Sequence, residues 1–137
     1  MLRDLIQALR AMKRTCMEVA LIETPTTVSV IYPRRQLTGR AFVQSGEIHV
    51  PRPFTRRALH IFLHECAHIA LNHVGKKPRH VEELEAEQWA FRKMREHGIA
   101  VPRKSLRRAK QYVAYKIRQA ERRGAKHIDA KAKKFAK

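Results

Sequence analysis

Cysteine is nearly missing from this sequence: Cys16 and Cys66 are the only two among 137 residues. Two thiols cannot build a disulfide framework, so a reducing compartment, the cytoplasm, is the expected setting. Cys66 reads instead as a small buried residue. Long hydrophobic runs are lacking as well. No stretch of about 18 apolar residues occurs, which argues against a membrane span. The N-terminus has no basic region followed by an apolar run and a cleavage site, so no secretory signal is expected. No internal repeat is found, which sets aside solenoid architectures. Acidic side chains are scarce: Asp and Glu number 12 against 30 Lys and Arg, a formal net charge of +18.

What is present is enough for one globular unit. The length suits a single domain with a real core, and 44% of the residues are hydrophobic. The charge is uneven. Residues 100–137 carry 14 basic and 2 acidic side chains, whereas residues 61–99 carry 6 of each. A basic tail segment therefore follows a balanced middle.

The middle is organised around residues 55–75, read as one helix. Thr55 is placed to cap its start, Phe54 to pack on Leu59 as a staple, and Gly75 to end it. Apolar residues fall on most of its sides, the pattern of a buried helix. Polar groups in such a helix need partners. His64 and His68, four apart, lie one turn apart on one face and can hold one ion. Neutral imidazoles with a coordination position left open suit zinc. Glu65 can reach a water on that metal as a general base without being a ligand. This is the HExxH pattern of metal-assisted hydrolysis, and it needs a third ligand.

The flanking segments read as follows. Residues 2–14 form an amphipathic helix, with Leu2, Leu5, Ile6, Leu9 and Met12 packed on the domain. Residues 16–32 turn strand-like, with a break at Thr24-Pro25-Thr26 and an end at Pro33. Residues 40–50 read as a hairpin reversing at Ser45-Gly46, stopped by Pro51-Arg52-Pro53. Its edge could accept an extended peptide as an added strand. Residues 81–97 form a second helix closed by Gly98, with Ile99 packing back on Met94. Residues 102–123 form a third, broken at Gly124, and Asp129 caps a last short helix.

His73, His80 and the glutamates of 82–87 all compete for the third ligand position. His73 has no glycine before it to turn the chain, so it is expected to continue down the first helix, and His80 lies in the connection. Glu83, Ala86, Glu87 and Ala90 share one stripe of the second helix, a close-packing face that presents carboxylates to a neighbour.

His64-Glu65-Cys66-Ala67-His68 followed by Glu83-Leu-Glu-Ala-Glu-Gln-Trp-Ala90 resembles the pattern HExxH…ExxA(D/N/E)xxA of gluzincins, and is most similar to the ImmA/IrrE family of zinc metallopeptidases. The resemblance spans roughly residues 40–98 and leaves out the basic C-terminus. It implies an α+β fold: an N-terminal helix, a short sheet or hairpin, the HExxH helix and a glutamate-bearing second helix. The implied division is a zincin-like metallopeptidase domain over 1–101 and a basic helical extension over 102–137, packed on it or appended to it. Glu83 is the implied third ligand, and Glu87 the residue that orients a ligand histidine. The implied activity is zinc-dependent endopeptidase hydrolysis, with Glu65 as base and a regulatory DNA-binding protein as substrate. An oxyanion donor is also needed, with Tyr32, Tyr112, His97 and His49 as candidates.

The competing expectation is a nucleic-acid-binding protein of a phage or mobile element that keeps a structural or vestigial zinc site. Its contacts would be Arg103, Lys104, Arg107, Arg108, Lys110, Lys116, Arg118, Arg122, Arg123 and Lys126, with Tyr112 and Tyr115 available to stack. Glu65 favours the enzyme, because a structural site has no use for a carboxylate there.

Overall fold

Helix α1 (Leu2–Glu23) opens the chain and is longer than the expected 2–14. The segment after residue 14 was expected to be strand-like, because Val19, Leu21 and other residues of 16–32 favour strands. It stays helical because Cys16, Val19 and Ala20, at i, i+3 and i+4, bury on one face. Thr24 ends the helix just before Pro25, as the restricted residue preceding a proline should. The first half of α1 differs from expectation in a second way. Leu2, Leu5, Ile6, Leu9 and Met12 are all exposed, and the helix packs on the domain through its C-terminal half. The structure, a computed structural model, describes residues 1–33 and 36–137.

Three short strands follow: β1 (Ser29–Ile31), β2 (Arg40–Phe42) and β3 (Glu47–His49). The hairpin forms as expected, β2 antiparallel to β3 with Ala41 opposite Ile48. Its strands are shorter than read, and the reversal takes four residues, Val43–Gly46, with Gly46 at φ 69°. β1 adds to the other side of β3 in parallel, giving the order β1-β3-β2. β2 is therefore an edge strand.

Helix α2 (Arg56–Ala70) carries the HExxH residues; Thr55 Oγ1 accepts from the Ala58 amide at 3.1 Å, the expected cap. The helix does not run on to Gly75. Asn72 adopts a left-handed conformation (φ 52°), the amide of His73 donates to His68 O at 2.9 Å, and that of Asn72 donates to Ile69 O at 3.1 Å. This is a Schellman turn with asparagine in the glycine position. Helix α3 (Arg79–Glu96) begins earlier than expected, so His80 lies in its first turn and not in a loop. Gly98 (φ 72°) closes α3, with the Ile99 amide on Met94 O at 2.8 Å. Helix α4 (Arg103–Arg122) follows, and α5 (Ala130–Ala136) is capped by Asp129 on the Ala132 amide at 2.9 Å.

Among the described residues this is an α+β fold of five helices and one three-stranded sheet. No helix among the described residues is long and apolar enough to cross a membrane. The main core joins Cys16 and Val19 of α1, Ile48 of β3, Leu59, Phe62 and Leu63 of α2, and Ala86, Ala90 and Met94 of α3. Each large apolar side chain buried there contributes about 1.5–3 kcal/mol. A second cluster, Leu84 with Val113, Ile117 and Ala132, seats α4 and α5 on the other side of α3. His80 adds a polar tie, its Nε2 accepting from the Asp129 amide at 3.1 Å.

Candidate metal centre

Helices α2 and α3 pack antiparallel: His60 meets Glu87 and Phe91, while His68, two turns on, meets Glu83. The alanines of the stripe, Ala86 and Ala90, are fully buried and let the helices approach closely. Three donors converge across that contact. His64 Nε2 lies 2.9 Å from Glu83 Oε2 and 3.1 Å from His68 Nε2, and His68 Nε2 lies 3.3 Å from Glu83 Oε2. Donors at about 2.0–2.1 Å from a tetrahedral ion stand roughly 3.3 Å apart. His64, His68 and Glu83 thus form a buried group that could hold a metal ion.

The hydrogen bonds behind the donors fix which ring nitrogen faces inward. His64 Nδ1 faces Glu87 in an ion-pair contact without hydrogen-bond alignment, and the other Glu87 oxygen accepts from His60 Nε2 at 3.2 Å. With Nδ1 turned to that carboxylate, His64 Nε2 is the ring nitrogen that faces His68 and Glu83. On the second histidine the argument runs through one more ring. Glu85 Oε1 accepts from His73 Nε2 at 3.0 Å, so His73 Nδ1 is an acceptor. It receives the His68 Nδ1 proton at 2.8 Å, which turns the His68 Nε2 lone pair inward. Lys77 Nζ holds the far oxygen of Glu85 at 2.8 Å. Sequence reasoning placed His73 further down the helix, left Glu85 among the candidate ligands and did not single out His60. The Schellman turn at Asn72 brings His73 back to its position.

Burial alone would raise Glu83, but the hydrogen bonds from His64 and His68 outweigh it and hold the carboxyl well below the usual carboxylate range. Glu87 is likewise buried and, under the influence of His64 and His60, falls to about 2. Both are ionised at neutral pH. Burial would lower His64, yet Glu87 and Glu83 together lift it well above the ordinary histidine value. Without a metal, the cluster therefore holds a proton where the ion would sit. Arg79 Nη2 lies 2.8 Å from Glu83 Oε1, an ion pair without hydrogen-bond alignment.

Glu65 stands beside the group, its Oε1 3.9 Å from His64 Nε2. Burial pushes its carboxyl up, only partly offset by His64 and His68. A carboxylate that is dear to ionise is a stronger base. Gly39 holds it there: a Cβ at residue 39 would come 2.7 Å from Glu65 Cγ and 3.1 Å from its Oε1. This glycine was not singled out in the sequence, since nothing there shows that the approach to β2 touches α2. Gly39→Ala should displace Glu65 while leaving the three donors in place. The expected outcome is unchanged metal stoichiometry with the Glu65 side chain displaced in a crystal structure of the variant; an unmoved Glu65 would mean that it has slack.

These groups floor a cavity of about 890 Å³ between the β2 edge, α2, α3 and α4. Of the four candidate oxyanion donors only Tyr112 lines it, its ring centroid 6.4 Å from that of His64. Burial and the nearby Glu83 push the Tyr112 hydroxyl up to about 12, so it remains a donor. Tyr32 lies under Arg52 (4.6 Å), His97 binds Glu23 (2.8 Å), and His49 binds Glu47 on β3. The basic residues of 103–126 are mostly exposed along α4; Arg108 turns to the cavity, and Lys116 covers Tyr112 and Tyr115.

Compared with protein-family models, curated proteins and solved structures, the chain matches none of them.

Proposed function

We propose that the chain is a zinc-dependent endopeptidase with a zincin-like site, in keeping with the ImmA/IrrE-type pattern of its two motifs. One observation carries the reading: the relay through His73 and Glu85 behind His68, and the Glu87 contact behind His64, leave both Nε2 atoms facing the same point as Glu83. Nothing in a purely structural histidine pair calls for that. Two imidazoles and a carboxylate, with no fourth His, Cys, Asp or Glu in the group among the described residues, suit catalytic zinc better than structural zinc. Zinc bound there supplies Lewis acidity, bringing the pKa of a water toward ~7 and polarising a peptide carbonyl.

The chain's own residues do the rest. Glu65 takes the proton of the attacking water and returns it to the leaving amine. Tyr112 donates to the oxygen on which charge develops. The free edge of β2 aligns an extended peptide, which exposes one carbonyl to the floor of the cleft. A regulatory DNA-binding protein of a phage or mobile element, in the cytoplasm, is the proposed substrate class. The test is a quenched fluorescent peptide library: zinc-loaded protein should cut it, chelation should stop cutting, and zinc should restore it.

Metal loading should depend on pH in a defined direction. His64 is lifted above its ordinary value in the metal-free protein, so the incoming ion must expel a proton. Affinity should therefore rise with pH, by about tenfold per unit while one proton is displaced, continuing past the ordinary histidine range and levelling off only once the raised His64 is deprotonated. Competition with a chromophoric chelator between about pH 6 and 9 reads this directly. Glu87→Gln should move the rise to lower pH.

The charge of the chain supports a second property, non-specific contact between the exposed basic face of α4 and nucleic acid. Neutralising Z phosphates of duplex DNA gives a log–log salt slope of about −0.9Z, so engaging half of the 14 basic side chains of 100–137 would give a slope of about −6. Changing Arg107, Arg118, Arg122 and Arg123 to Glu should flatten the slope without loss of metal. A wild-type slope of zero would leave the face merely solvated.

A further inference from the structure

The cleft has a second polar end, and the endopeptidase reading does not use it. α4 is joined to α3 by the short turn 97–102 and returns antiparallel to it, as α2 does, so α2 and α4 run the same way. His64 and Tyr112 mark the same level. Arg57 precedes His64 by seven residues, and Ser105 precedes Tyr112 by seven. Both therefore lie two turns, roughly 10 Å, toward the N-terminal ends. Both line the same cavity, as does Arg108 one turn from Ser105.

Three independent features of this end call for an anion. Ser105 is 2% exposed and its hydroxyl has no hydrogen-bond partner, nor has the buried Nε of Arg57. Groups in that state cost about 1–3 kcal/mol each unless something satisfies them. Neither Arg57 nor Arg108 has an ion-pair partner among the described residues, although Arg56 next door is used on Ala100 O and Arg79 on Glu83. Finally, the first turns of α2 and α4 contain no acidic residue, so the positive ends of two parallel helix dipoles meet unpaired guanidinium groups.

The geometry points to a carboxylate-binding subsite, formed by Arg57, Ser105 and Arg108, that selects peptides with an acidic group about three residues from the bond cut. The spacing follows from the ~10 Å of helix and ~3.3 Å per residue of extended peptide. Its distance to the scissile bond rests on the endopeptidase reading; its affinity for carboxylate does not. Arg57 and Arg108 grip the two oxygens, and Ser105 donates its hydroxyl proton to one of them. The carboxylate comes from an Asp or Glu side chain or from a peptide C-terminus.

The test is binding to zinc-loaded Glu65→Gln protein, which needs no turnover. The probes are fluorescein-labelled decapeptides of alternating Ala and Glu, or Ala and Gln, each as free acid and as amide. At about 0.15 M salt, where charges are screened beyond ~8 Å, the Glu peptide should bind at least about tenfold tighter than the Gln peptide. Arg57→Gln/Arg108→Gln should erase that ratio. Arg108→Gln alone, at an exposed side chain, should reduce it with the fold intact. Lys133→Gln/Lys134→Gln removes the same charge from α5, away from the cavity, and should keep the ratio. A preference that survives amidation assigns the subsite to side chains; one lost on amidation assigns it to a C-terminus. Equal loss in both double variants would reduce the effect to the diffuse field of the chain and overturn the subsite. So would displacement of the Glu peptide by a single-stranded oligonucleotide at equal concentration, since the site would then belong to phosphate. Acidic preference without any peptide cleavage by the wild type would keep the subsite and remove the endopeptidase reading; cleavage without acidic preference would do the reverse.

Discussion

Glu65→Gln should abolish peptide hydrolysis while leaving zinc content, circular dichroism and thermal midpoint close to wild type. The amide is nearly isosteric and Glu65 is not among the converging donors, so the metal has no reason to leave. What disappears is the base, a loss typically of roughly 10²–10⁴ in rate. The burial that pushes Glu65 up makes the effect larger, because a weakly basic carboxylate would have had less to lose. Product formation from the peptide library, followed by mass spectrometry under single-turnover conditions, measures it. Cleavage at the wild-type rate would remove Glu65 from the mechanism and with it the main reason for calling the site catalytic.

His64→Ala and Glu83→Gln should each cost stoichiometric zinc, the second because a neutral amide replaces the only anionic donor. Glu87→Gln and His73→Phe touch no ion directly, and should weaken zinc by about 10–100-fold, the usual effect of losing the group that holds a ligand histidine in place. At free metal a hundred times Kd, zinc stabilises the fold by about 2.7 kcal/mol, so thermal midpoints with and without metal provide a second readout. His64→Ala should lose that increment entirely. If Glu83→Gln keeps full zinc and His80→Ala loses it, the third donor has been misassigned; the tie between His80 and the Asp129 amide argues otherwise.

The two helices that carry the donors were legible because spacing on a helix is a geometric statement. His64 and His68 must share a face, and the Glu83/Ala86/Glu87/Ala90 stripe must pack closely or not at all. The turn after α2 was not legible, because asparagine enters the left-handed region only where its surroundings favour it; Asn72 tolerates φ 52° and sends His73 back over His68. Nor could α1 be divided correctly. Val19 and its neighbours favour strands locally, and only the packing of Cys16, Val19 and Ala20 against α2 settles them as helix. Gly39, His60 and Arg57 act through contacts between elements, and a sequence without partners does not reveal such contacts.

The three donors and the groups that steer them, His60, His73, Glu85 and Glu87, all fall within one stretch of 60–87. Among the described residues, the sheet and α4 place no donor in that group. In terms of folding order this matters, since closing a short loop costs little chain entropy and local contacts form fast. The helical pair α2–α3 is thus the natural nucleus, able to bring the donor group together before the edge strand and α4 arrive. The walls of the cleft would then assemble last, onto a donor group already in place.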